Sequence, residues 1–483
     1  METIKIKNLT FSYPSGVGKA LDDISFTLPE GSFNLIIGES GSGKTTLLKL
    51  LKNEIAPVGE IIGNIEFFGR SADSISFDRI GFVSQFPDDG IVTDKVWHEM
   101  AFGLENMGLD PEEIRLRVGE TASYFGIGGW YHQSTDTLSG GQKQLLNLAS
   151  VMVMRPDILL LDEPTAQLDP IAASDFLNTL KRINRESGVT VIISEHRLEE
   201  VFPLSDNVLV LENGKLAAKG SPNEVCNSLR GNPIFSGFPT PARLWSGLGA
   251  TGVCPLTVKE GRTFLTNNYP DAKGKTEKLP LKETEAAVEL DKVTFRYERT
   301  SPDVINEMTL KVGKGEIFAI LGENGSGKTT ALDIIAGLRI PYAGTCRIFG
   351  KKIKDYKGNS LYRKTVALLP QDPTLLFAGN TVIDDLRSAW KLAGGSDVYF
   401  SKKAEKWINL FGIEPLLSRH PYDLSGGEQQ KCALVKLMLR EPRIILLDEP
   451  TKGLDAAFKR TLGSILGTLK GEGITVIMVT HDV

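Results

Sequence analysis

The sequence predicts an α/β chain built from two tandem copies of one domain, each with a mostly parallel sheet covered by helices. Three observations predict it. Long motifs recur at a nearly fixed offset of 284 to 286 residues: GESGSGKTT at 38–46 and GENGSGKTT at 322–330, LSGGQKQ at 138–144 and LSGGEQQ at 424–430, ILLLDEPT at 158–165 and IILLDEPT at 444–451. Such self-similarity marks duplication of a whole unit rather than shared composition. Short apolar runs of strand length alternate with helical stretches, the pattern of a parallel sheet with helices on its faces. Finally, each copy opens on alternating residues, IKIKNLTFSY (4–13) and VELDKVTFRY (288–297), which read as half-buried antiparallel strands.

The bulk numbers agree with this. A chain of 483 residues exceeds one ordinary core and suggests two or three domains. Its 41% hydrophobic and 24% charged residues fit a globular protein. The net charge of −5 gives no basic footprint, so nucleic acid is not expected as a partner. Cys226, Cys254, Cys346 and Cys432 are scattered without a C-x-x-C pair, which suggests neither a disulfide framework nor a zinc site and fits a reducing compartment. No window reaches the roughly 18 apolar residues a membrane helix needs, and METIKIKNLT lacks the apolar core of a signal peptide.

Residues 1–229 are expected to form the first domain. Residues 230–284, rich in Pro, Gly, Thr and Lys, read as its tail plus a linker, and 285–483 as the second domain. The second copy stops two residues after His481, where the first runs on through a predicted hairpin and helix. It is therefore expected to be C-terminally incomplete by about 30 residues.

Gly38-x4-Gly43-Lys44-Thr45 lies between an apolar strand (33–37) and a helix-like LLKLLK, which is the setting a phosphate-binding loop requires. Glycines let successive backbone N–H groups turn inward around phosphates, and the following helix N-terminus adds positive potential. Lys44 is expected to reach the β- and γ-phosphates of ATP and the Thr45 hydroxyl to ligate Mg²⁺; Lys328 and Thr329 repeat these roles. The expected nucleotide-binding residues are Gly38, Glu39, Ser40, Gly41, Ser42, Gly43, Lys44, Thr45 and Thr46, with Gly322, Glu323, Asn324, Gly325, Ser326, Gly327, Lys328, Thr329 and Thr330 in the second copy.

A buried strand ending in Asp162-Glu163 is costly unless a cation sits there. Asp162 is expected to hold Mg²⁺ through water and Glu163 to act as general base on the attacking water; Asp448 and Glu449 repeat the pair. The turns Ser139-Gly140-Gly141-Gln142 and Ser425-Gly426-Gly427-Glu428 each open a helix and form a second anion-binding element.

With that third element the sequence resembles the ABC (ATP-binding cassette) ATPases over both halves, which implies two P-loop NTPase domains with a parallel core, an antiparallel β subdomain and a helical signature subdomain. The resemblance implies two composite head-to-tail sites, the two cassettes pairing within one chain: the loop at Gly38–Thr45 with the signature at 424–428, and that at Gly322–Thr329 with the signature at 138–142. It also implies further roles. Tyr13 and Tyr297 would stack on adenine, Gln85 and Gln371 would touch Mg²⁺ and the lytic water, and the catalytic set would be Glu163 with His196 and Glu449 with His481. Asp169 and Asp455 close the loops after the acidic pairs; AQLD and KGLD depart there from the commoner SALD.

The stretch FPDDGIVTDKVWHEMAFGLENMG after Gln85 is similar to cassettes of energy-coupling-factor (ECF) importers; QDPTLLFAGNTVIDDL in the second copy lacks the second Asp. That resemblance implies an ATPase at the cytoplasmic face of the cell membrane, peripheral. It would power import of a vitamin, vitamin precursor or metal ion with an integral membrane coupling subunit and a small membrane-embedded substrate-binding subunit. Two alternatives stay open from the residues: a tandem-cassette ATPase acting on the ribosome, and the ATPase subunit of a sugar-type importer.

Overall fold

The computed structural model describes residues 2–14, 18–270, 285–451 and 456–480. They form two compact units, one before and one after residues 271–284.

In the first unit, β1 (Glu2–Ser12), β2 (Leu21–Pro29), β4 (Glu60–Phe67) and the short β5 (Arg70–Ser71) form an antiparallel sheet in the order β2-β1-β4-β5. A second sheet is mostly parallel. It runs β10-β9-β3-β8-β7-β6, from β3 (Phe33–Gly38), β6 (Ile80–Val83), β7 (Ile158–Asp162), β8 (Thr190–Ser194), β9 (Asn207–Glu212) and β10 (Lys215–Gly220), with only the β9–β10 hairpin antiparallel. Strands β3, β7 and β8 are buried along their whole length, as expected of parallel strands covered on both faces. Their alternation divides the core. Leu159 and Leu161 point to one cluster, packed with helices, and Ile158 and Leu160 to another, packed with the antiparallel sheet.

Helices α1 (Lys44–Leu50), α2 (Val96–Asn106), α3 (Pro111–Tyr124), α4 (Gly140–Met152), α5 (Pro170–Ser187), α6 (Leu198–Leu204) and α7 (Pro222–Ser228) complete the first unit, together with α8 (Thr240–Gly247) and α9 (Val258–Asn268). These last two lie in the segment read from sequence as tail and linker. They are ordered by apolar anchors: Trp245 and Ala242 of α8, with Phe235, Phe238 and Cys254 nearby, are buried in the helix-side core. The anchors are few and separated by Pro and Gly, so the segment has no sustained helical period.

The second unit repeats the plan. β11 (Ala286–Phe295), β12 (Ile305–Gly313), β14 (Ala343–Ile348) and β15 (Lys351–Lys352) form the antiparallel sheet. The parallel sheet is β13 (Ile317–Ile320), β18 (Thr475–Val479), β17 (Ile444–Asp448) and β16 (Val366–Leu369), in that order. Its helices are α10 (Lys328–Ala336), α11 (Val382–Leu392), α12 (Asp397–Phe411), α13 (Gly426–Met438) and α14 (Ala456–Gly471). Even the strained backbone positions recur. Non-glycine residues in the left-handed region at Asn8, Asp23, Phe68, Arg155 and Glu163 have counterparts at Lys292, Glu307, Phe349, Glu441 and Glu449. A left-handed L-residue costs about 1–2 kcal/mol, so its repetition reflects a shared architecture that imposes it. All four cysteines are buried and free.

Candidate functional site

Strand β3 delivers the chain into a glycine-rich loop and α1 receives it. Gly41 and Gly43 have φ of 80° and 100°, and a Cβ on Gly43 would lie 2.7 Å from the carbonyl oxygen of Ala20. Only glycine fits both the conformation and the space. The loop turns back on Lys44, whose ammonium donates to the carbonyl oxygens of Gly38 (3.0 Å) and Glu39 (3.2 Å). The second unit repeats this: Gly325 and Gly327 have φ of 81° and 88°, and Lys328 Nζ donates to Gly322 (2.9 Å) and Glu323 (2.7 Å). Both lysines are buried, as cations held at a helix start for an anion. Tyr13 and Tyr297 stand beside the loops with partly exposed rings, each sharing a hydrogen bond with the next helix, Tyr13 Oη to Thr46 Oγ1 (3.0 Å) and Tyr297 Oη to Thr330 Oγ1 (2.9 Å).

The end of β7 places the carboxylates next to this loop. Glu163 is the hub. Its Oε1 lies 2.8 Å from His196 Nε2 and 3.7 Å from Lys44 Nζ, and its Oε2 accepts from Gln85 Nε2 at 3.1 Å. Three residues singled out from separate parts of the sequence thus meet on one buried carboxylate. Burial opposes its ionisation, but the His196 hydrogen bond and charge, with Lys44, outweigh burial and hold Glu163 below the usual carboxylate range. An ionised carboxylate in a buried, hydrogen-bonded position can accept a proton from water.

Asp162 behaves oppositely. Burial pushes its carboxyl up, with the neighbouring Glu163 adding to the effect, although hydroxyls of Ser194 and Thr45 bond to it and pull it back. Asp448 is likewise raised by burial and bonded by the Thr329 hydroxyl; its Oδ1 is buried with no hydrogen-bond partner among the described residues. A hard oxygen donor left unpaired beside a threonine hydroxyl fits a divalent cation such as Mg²⁺.

The raised carboxyl has a stability consequence. A folded-state pKa above the unfolded value means the folded chain holds that proton more tightly. The stability this group contributes is full below the unfolded value and is lost as pH rises through the folded one. Asp162→Asn is therefore expected to raise the unfolding midpoint of the nucleotide- and cation-free protein at neutral pH. The gap should close below about pH 4, where aspartate is protonated in both states. Thermal melts of both proteins across pH check this; an unchanged or lower midpoint at neutral pH contradicts it.

Ser139 and Ser425 cap α4 and α13. Each hydroxyl accepts the N–H three residues on, while the Gln142 or Glu428 side chain returns to the serine N–H, a reciprocal capping box. Asp169 caps α5 through the Ala172 N–H (2.9 Å). In the second unit Gln371 is exposed. His481 and Asp455 lie outside the described residues.

A family model described as ABC transporter matches residues 21–166 and 305–452. The chain belongs to the ABC transporter family. It carries two ABC domains, which bind and hydrolyse ATP. An ABC transporter ATP-binding protein of Bacillus cereus is 41% identical over 488 residues, covering 99% of this chain and 87% of that protein. YkoD of Bacillus subtilis, which bears the name HMP/thiamine import ATP-binding protein, is 30% identical over 495 residues, covering 100% of this chain and 87% of that one. Among solved structures, CbiO1 of Clostridium perfringens, described as part of the ABC transporter complex CbiONQ, is 31% identical over 49% of this chain and 97% of that one, with a TM-score of 0.42.

The two ABC domains differ where the sequence motifs suggested simple equivalence. Sheet register pairs Asp162 with Ser194 and Asp448 with Val479, so Val479 is the counterpart of Ser194 and Thr480 that of Glu195. Ser194 and Glu195 were not singled out as site residues. Their polar side chains at the end of an otherwise apolar strand were the available signal.

Proposed function

We propose that this ABC ATPase powers import of a small solute, of the vitamin, vitamin-precursor or metal-ion class, through separate membrane subunits of ECF type, working peripherally at the cytoplasmic face. The observation that carries the import reading is full-length likeness, across both cassettes, to a relative named for HMP/thiamine import. The segment after Gln85 supports it: Phe86 and Val92 are exposed around an acidic turn, Pro87–Gly90, a surface suited to a protein partner. No helix among the described residues is long and apolar enough to cross a membrane, so a solute path would come from partner subunits.

In this reading Lys44 and Lys328 neutralise the phosphates in their loops, and the N-termini of α4 and α13 offer further N–H groups to phosphate oxygens. Thr45 with Asp162, and Thr329 with Asp448, would hold Mg²⁺, which supplies charge neutralisation on the phosphates. Glu163 polarises water, Gln85 and His196 orient it, and Glu449 serves the second site. Gln371 and His481 take the corresponding roles there, and Tyr13 and Tyr297 offer their partly exposed rings to the adenine.

The test is affinity capture of the full-length tagged chain from detergent-solubilised membranes of its source, with bound proteins identified by mass spectrometry. A multi-helix coupling subunit together with a small membrane-embedded binder is the expected result. Ribosomal proteins with nothing from the membrane would overturn the import reading and leave the ATPase standing.

A further inference from the structure

Glu195 follows β8 and is almost completely buried, at 2% exposure. Its Oε1 accepts the backbone N–H of Thr165 at 2.9 Å, and the Thr165 hydroxyl bonds to the same side chain. Thr165 lies two residues past Glu163, in the turn closed by Ala166 N donating to Glu163 O (3.1 Å). Next to Glu195 in sequence is His196, which touches Glu163. The carboxylate therefore ties the loop that carries the hub to the strand end that carries its histidine.

The tie has work to perform. Glu163 is held at φ 45°, a left-handed conformation that costs free energy and persists only when surrounding contacts impose it. In the first cassette those contacts include two side chains of the neighbouring strand end: Ser194 Oγ accepts the Glu163 N–H (3.0 Å), and Glu195 holds Thr165. In the second cassette Glu449 is also left-handed, at φ 46°. Valine stands in place of the serine there, and the Thr451 and Thr480 hydroxyls meet at 3.4 Å where the first cassette has a carboxylate.

We propose that Glu195 is a positioning residue for ATP hydrolysis in the first cassette. By clamping the Thr165 turn to β8 it fixes Glu163 against His196, a clamp the second cassette builds without a carboxylate, so the two hydrolytic sites are chemically unequal. This rests on the reading of Glu163 as the residue that activates water. The charged groups facing Glu195 are Glu163, from the loop after β7, and Arg197, on its own segment. Burial, with Glu163 adding to it, lifts its carboxyl to about 7 against the Thr165 bonds and Arg197. Glutamine, uncharged and of the same length, can accept the same N–H and is the conservative replacement.

The experiment uses the full chain carrying Glu449→Gln, so that steady-state ATP turnover reports the first site. Into it are introduced Glu195→Ala, which removes every polar group that could hold Thr165, Glu195→Gln, and as a reference Glu163→Gln. Glu195→Ala is expected to lower kcat about 10- to 100-fold, the scale of displacing a reacting group by about 1 Å, with KM for ATP within about twofold. Glu195→Gln is expected to keep at least about half of the turnover. Should the alanine variant not fold, Glu195→Asp, which withdraws the carboxylate by one methylene, is read in its place. Full turnover in the alanine or aspartate variant would overturn the proposal, as would equal losses in the alanine and glutamine variants with raised KM. Full turnover in the Glu163→Gln reference would instead overturn the reading of Glu163, a failure distinguishable from that of Glu195.

Discussion

Glu163→Gln, placed in a chain whose second site already carries Glu449→Gln, is expected to cut ATP turnover by about 10²–10⁴-fold, the range general-base catalysis contributes. Nucleotide binding should survive. The substitution removes the charge that faces His196 at 2.8 Å and Lys44 at 3.7 Å but leaves the Lys44 contacts to Gly38 and Glu39 in place. The expected signature is a collapse of kcat with ATP still retained, read by stopped steady-state turnover alongside equilibrium binding of labelled ATP. Loss of binding at the same rate as turnover would assign Glu163 to the loop's architecture rather than to water activation. The charge state is favourable to the role. His196 and Lys44 depress the carboxyl against its burial, so the base is ionised through the neutral range, and its activity is expected to fade only as pH drops below the usual carboxylate range.

Lys436→Ala is expected to destabilise the second unit by about 3–5 kcal/mol, the cost of stranding a buried charge. Asp385 on α11 is 1% exposed and lies 2.5 Å from Lys436 Nζ on α13. Its oxygens also accept the N–H groups of Ala378 (3.1 Å) and Gly379 (3.2 Å), and the lysine donates in addition to the carbonyl of Leu376. The pair thus fastens the segment after Gln371 to two helices. Replacing both partners, Lys436→Met with Asp385→Asn, should cost much less than removing the lysine alone, because no unpaired charge remains. Urea unfolding of the three proteins measures this. A loss below about 1 kcal/mol for Lys436→Ala would show that water reaches the aspartate and that the pair is a surface one. The first cassette solves the same problem differently: Glu99 accepts the N–H groups of Val92 (3.0 Å) and Thr93 (2.7 Å), and Ser150 stands where the lysine would be.

The sequence by itself determined the duplication, the two-sheet α/β plan, the phosphate loops, the carboxylate pairs and the capping serines. Each was legible because its information is local. The phosphate loop is a run of nine residues whose glycines meet a steric demand inside that run, as the Cβ clash at Gly43 shows. The carboxylate pair ends one five-residue strand, and the capping serines reach only three residues ahead. Even the split of Leu159 and Ile158 into different cores follows from a period of two.

Tertiary structure alone decided what depends on partners distant in sequence. Glu195 and Thr165 are thirty residues apart, Lys436 and Asp385 fifty-one, and Gln85 and Glu163 seventy-eight. A buried glutamate beside a histidine reads from sequence as one more polar residue. Only the parallel register of β7 and β8 brings it onto the turn that carries the hub and separates its role from that of Thr480. Helices α8 and α9 were hidden for a related reason, since their few apolar anchors show no sustained period until the core that receives Trp245 is in place. Local sterics and periodicity are written in consecutive residues, whereas pairing energies across a sheet or between helices depend on which segments the folded backbone brings together.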